Sequence, residues 1–266
     1  MRWLFLIIAV LGLSTPVLAG SNAAPSGRFT SQEAADFSKQ IERDLAAQQA
    51  RLAIVFRAGE SRDELPDGVR YTHSAFWIYQ PIETAGGTTE YGYAVYNLYH
   101  GEEDRLTSSL VQDWPIDFTL PDGNGQVGII IPSPEMQRRL IALVASTDYA
   151  ALHNPDYSLV SNPHDRRFQN CTEFMLDVIA AAAWQTTDID RIKTNLRAHF
   201  RPAQIRLGPL TRIFGPMVDE RFRTADHNGR IRTATWRTMA DFMLENGLAA
   251  DVYELSADHL SGDGTL

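Results

Sequence analysis

The chain has a single cysteine in 266 residues, Cys171, and so no second thiol for an intramolecular bridge. A disulfide-stapled fold is excluded, and the core must come from apolar packing. Basic residues are also scarce: 24 Lys and Arg against 33 Asp and Glu give a net charge of -9. Nucleic acid and anionic lipid both call for a positive face, so neither is expected as a partner. None of the seven histidines stands four residues from another, the spacing of a zinc-binding helix. His153 and His164 share a long loop, where histidines are ordinarily solvated, and no metal or other cofactor is expected. No G-x-S-x-G is present, so a serine-hydrolase elbow has no support. Gly123 to Gly128 does spell G-x-G-x-x-G, but it runs into "GIIIP", a strand stopped by proline. A dinucleotide loop must open into a helix, so a turn is expected instead.

The N-terminus supplies what the rest of the chain lacks. Met1-Arg2 is a short positive start, Trp3 to Leu13 is an apolar run of about 11 residues, and Val17-Leu18-Ala19 carries small residues at peptidase spacing. The run is shorter than the ~20 residues of a membrane helix. The three-part pattern is that of a secretory signal peptide over residues 1–19. A periplasmic or secreted protein follows, with no stable membrane span after cleavage, since no later stretch approaches that length.

Residues 20–50 form an N-terminal helical region, opened by the capping-box pair Thr30 and Glu33. Strands are expected at 51–59, 71–82 and 91–100, the last two as a hairpin turning through "ETAGGTTE", and another at "GIIIPSP". Residues 101–118 read as irregular or partly helical. Ser133-Pro134 opens a helix, 147–169 is a long link, and helices are expected from Asn170 to Trp184 and from Thr187 to His199. Asn228-Gly229 is the strongest short hairpin signal, and "WRTMADFMLEN" is an amphipathic helix stopped by Gly247. The whole is an α+β fold with an antiparallel sheet. A catalytic core spans 51–185, 186–255 extends the same domain, and 256–266 is a disordered tail.

Chemistry centres on Cys171. Asn170 is a favoured N-cap, which places Cys171 at the first helical position. Exposed N–H groups and a partial positive charge gather there, favouring a thiolate and an adjacent oxyanion. Phe174, Met175, Val178 and Ile179 anchor the helix in the core. A nucleophilic cysteine needs a base, and His73 stands out of place at the start of an apolar strand. A turn centred near residue 85 would pair His73 with residue 97, so the Asn97 amide would orient the imidazole, with His100 as the alternative. Tyr71 and Tyr157 are candidates to line the site.

"YTHSAFWIY" resembles the H-x-G/A strand, and "QNCTEFMLDVI" the N-C-x-E-F/L nucleophile helix, of the circularly permuted NlpC-type papain-like superfamily, including its lecithin:retinol acyltransferase-like branch. The two motifs also resemble those of a group of exported proteobacterial proteins. In the permuted branch, as here, the histidine precedes the cysteine. The resemblance covers roughly residues 50–185 and implies a papain-like sheet packed against the nucleophile helix. It also implies a cysteine hydrolase (amidase or peptidase) or acyltransferase, acting on a peptide, peptidoglycan or acyl-lipid substrate. Ala75 stands where the family usually has glycine, and the third polar residue lies further along the chain than usual. A non-catalytic ligand-binding protein on the same scaffold is the alternative, with the aromatic residues of the hairpin lining its cleft.

Overall fold

The computed structural model describes residues 29–59, 65, 68–84, 86–122, 124–205 and 219–258. The signal segment, the proline-rich stretch 206–218, Gly123 and residues 259–266 of the tail lie outside these.

Helix α1 (Ser31–Ala47) starts where the sequence places it, with the Thr30 hydroxyl and the Glu33 carboxylate exchanging backbone hydrogen bonds. Strand β1 (Leu52–Arg57) follows. Strands β2 (His73–Glu83) and β3 (Thr89–His100) form a long hairpin. Strand β4 (Ser108–Asp113) and the short helix α2 (Pro115–Thr119) come next. Then follow β5 (Gln126–Pro132), α3 (Pro134–Val144), α4 (Thr147–Ala151), α5 (Cys171–Trp184) and α6 (Ile189–His199). The two-residue strands β6 (Ala203–Gln204) and β7 (Arg232–Thr233), helix α7 (Trp236–Glu245) and β8 (Ala249–Ser256) complete the set.

The protein is α+β. Six strands form one antiparallel sheet in the order β4-β3-β2-β1-β5-β8. Alternation along the strands sorts the core into two layers. Leu52, Ile54, Phe56, Phe76, Ile78 and Leu98 face α5 and its neighbouring helices. Ala53, Val55, Ala75, Trp77, Val95 and Ile129 face α1 and Phe118 of α2. Helix α5 is buried from Cys171 through Ala182, which explains why its sequence is apolar around most of its circumference.

Three expectations change. The stretch 101–118 contains a regular strand, β4, paired to β3, whose mixed polar sequence hid it because β4 is the edge strand of the described sheet. Asn228-Gly229 does not close a hairpin: β7 pairs instead with β6, more than twenty residues upstream, and Gly229 only supplies a positive φ of 99°. Strand β8 joins the main sheet beside β5, so a segment far beyond residue 185 completes the layer that supports the site.

Candidate active site

Cys171 is the first residue of α5, and the Asn170 side chain caps the helix by accepting the Glu173 N–H at 2.9 Å. A second bond, from Asn170 Nδ2 to the Leu159 carbonyl at 3.1 Å, ties the cap to the long loop. The sulfur lies against the start of β2. Its thiol donates to the Thr72 carbonyl at 3.7 Å, and the backbone N–H groups of Ser74 and Thr172 favour its charged form. Burial outweighs them. Cys171 is 4 % exposed, and desolvation raises its pKa above that of an ordinary thiol. The lowered value expected from the helix N-terminus is therefore not realised. The same N–H groups are present, but the sulfur is too far removed from water for them to prevail.

Two backbone groups that interact with the sulfur, the Thr72 carbonyl and the Ser74 N–H, flank His73. The His73 side chain points with Ala75 and Trp77 toward the α1 face. Its Nε2 lies 3.0 Å from Asn97 Oδ1. The ring stacks on Tyr99 at 4.9 Å and 9° and meets Phe118 at 5.6 Å. Burial, with the nearby Arg57 cation, lowers the imidazole to about 3, so it is neutral at physiological pH. The hairpin register pairs Ala75, not His73, with Asn97. The turn is thus centred one residue later than expected, and the Asn97 amide reaches His73 diagonally on the same face.

His100 belongs to a different set. It is on the α5 face, with its ring 5.6 Å from that of Tyr157. Its Nδ1–H donates to the Gly101 carbonyl at 2.9 Å and its Nε2 accepts from Arg221 at 2.7 Å. Tyr71, Thr72, Tyr157, Asn170 and Cys171 line one cavity of about 240 Å³. His153 and His164 are held apart, on Ser108 and on the Phe200 carbonyl.

Three groups around the site were not anticipated. Asp113, at the end of β4, accepts from Asn97 Nδ2 at 3.2 Å. Arg57 lies over the Phe118 ring, 5.3 Å from its centre. Behind Cys171, Lys193 Nζ is 2.6 Å from Glu173 and 2.7 Å from Asp177, with all three side chains buried. The last was visible in principle: Glu173 and Asp177 stand four apart on an otherwise apolar helix, a pattern that calls for a buried cation.

The family described as "Uncharacterized protein conserved in bacteria (DUF2145)" matches residues 44–243. The chain belongs to this family. The matched span runs from the end of α1 through α7 and includes Cys171, His73, Asn97 and Asp113. No curated protein and no solved structure matches the chain.

Proposed function

We propose that this DUF2145 protein is an exported cysteine hydrolase or acyltransferase on a circularly permuted papain-like core. The observation that carries the reading is the placement of the only thiol. It sits at a helix N-terminus, on the wall of a cavity, with two backbone N–H groups available to stabilise negative charge.

The thiol is protonated at rest and the imidazole neutral, so no ion pair is formed in advance. Cys171 Sγ attacks an ester or amide carbonyl carbon, forming the C–S bond as the thiol proton passes through water in the cavity to His73, whose ring stands on the opposite, α1 face of the sheet and makes no direct contact with the sulfur. The N–H groups at the start of α5 stabilise the oxyanion. His73 returns the proton to the leaving alcohol or amine as the C–O or C–N bond breaks. Water or an acceptor alcohol then resolves the thioester. Asn97 orients His73, and Tyr71 and Tyr157 wall the cavity.

The described cavity lining, which includes Val69, Leu159, Val160 and Ile205, has no charged side chain. Its volume of about 240 Å³ is below the roughly 300 Å³ at which drug-sized pockets begin. An uncharged acyl group fits this better than an acidic peptide. The test is intact-mass analysis after mixing with p-nitrophenyl esters, neutral and succinylated. One acyl group on Cys171, favoured for neutral esters and absent in Cys171→Ser and His73→Ala, is expected. No adduct from any ester or amide tried would end the reading.

A second reading is favoured by one observation, the burial of the thiol with its raised pKa: the cavity binds a ligand without turnover. Saturable binding of a neutral ester, unchanged in Cys171→Ser and without any adduct, would select it. Export is tested separately, by sequencing the N-terminus of the chain recovered outside the cytoplasm, expected at Gly20.

A further inference from the structure

Asn97 is fully buried in β3 and has one amide oxygen and two amide hydrogens to place. The amide itself does not dictate which end meets His73. The neighbours decide it. From β4, whose Asp113 stands opposite Val95 and so on the same face as Asn97, the carboxylate Oδ2 lies 3.2 Å from Nδ2. The Val95 carbonyl is a weaker second acceptor at 3.4 Å. A carboxylate only accepts, so the NH₂ end must face Asp113. Oδ1 is thereby turned onto His73 Nε2 at 3.0 Å. An amide oxygen also only accepts, so Nε2 holds the imidazole proton and Nδ1 keeps its lone pair.

We infer that Asp113 is a positioning residue that, through Asn97, fixes the Nε2–H tautomer of His73. The surroundings hold this arrangement. The imidazole is clamped between Tyr99 and Phe118. Asp113 is 2 % exposed, at a position where burial opposes its charge, while Tyr99 and Arg57 favour that charge and Asp117 opposes it. The catalytic meaning rests on the proposed cysteine chemistry, because a bare Nδ1 is what takes up the proton relayed from the thiol. The tautomer itself does not rest on it.

Long-range ¹H–¹⁵N spectra of the full chain labelled at histidine test the inference, with the His73 signals assigned by their loss in His73→Gln. The wild type should show Nε2 protonated and Nδ1 bare at pH 7. Asp113→Asn keeps an acceptor and should keep the pattern. Asp113→Ala should show a mixture or the Nδ1–H form. Its acylation rate should fall roughly 10- to 100-fold at unchanged KM, the rate equivalent of one hydrogen bond to a charged group. Asp113→Ser, too short to reach Asn97, gives the same reading if alanine unfolds the chain. A wild-type Nδ1–H form, or a folded Asp113→Ala or Asp113→Ser that retains the wild-type pattern, overturns the inference. Absence of any acyl-Cys171 overturns the functional reading and leaves the tautomer result standing.

Discussion

Cys171 Sγ lies 3.7 Å from the Thr72 carbonyl oxygen, with the Ser74 N–H turned toward it from the other side of His73. A thiol that donates to a carbonyl is held in its protonated form, and burial pushes its pKa up. Iodoacetamide labelling of the resting protein should therefore reach half its maximal rate above the ~8.5 of a free cysteine. Labelling that has already levelled off at neutral pH would show a preformed thiolate and contradict this geometry.

His73 makes an opposite prediction for acid stability. Its folded pKa is lowered from 6.5 to about 3. The unfolded chain binds the proton first, so the neutral ring contributes stability that is present above pH 6.5 and lost as pH falls toward 3. At 1.36 kcal/mol per pKa unit the loss reaches up to about 5 kcal/mol. Urea unfolding of the wild type should weaken steeply over that window. His73→Gln, which can still donate to Asn97, should show a shallower decline.

How much of this the sequence disclosed depends on the range of each interaction. The capping of Cys171 by Asn170 and the 3.6-residue period of α3 and α7 are local, and were legible. The hairpin was legible to within one residue of its turn centre. That error moves the partner of Asn97 from His73 to Ala75 but preserves its face, because pleating repeats every two residues. What stayed hidden is non-local. β8 pairs with β5 across more than a hundred residues, and Asp113 acts on His73 only through a strand between them. The raised thiol pKa was hidden for the same reason, since burial is a property of the assembled layers rather than of the helix start.

Gly128 explains part of the cavity wall. A Cβ there would lie 2.7 Å from Tyr71 Cε2 and 2.8 Å from Trp236 Nε1. Neither ring has room to retreat, since they pack edge to face at 5.5 Å. Gly128→Ala should cost roughly 1–3 kcal/mol by overpacking. Because Tyr71 lines the cavity, the variant should also weaken binding of neutral esters. Unchanged urea stability and unchanged binding together would show that the sheet yields there.

The Lys193, Glu173 and Asp177 cluster supplies the most direct stability test. Two buried carboxylates share one ammonium, so burial and the Asp177 charge raise Glu173 from 4.5 to about 7 even against Lys193. The unfolded chain gives up this proton first. Stability from the protonated Glu173 is thus complete below pH 4.5, lost as pH rises through 7, and worth up to about 3 kcal/mol. Glu173→Gln stands in for the protonated form, while Asp177 still holds the ammonium at 2.7 Å. Its unfolding free energy should therefore gain on the wild type between pH 5 and pH 8. Lys193→Met removes the cation and leaves both carboxylates buried, at a cost of about 3–5 kcal/mol near neutral pH. That cost should shrink in acid, as the two carboxylates bind protons. A Lys193→Met penalty independent of pH would mean that the lysine acts by its packing alone.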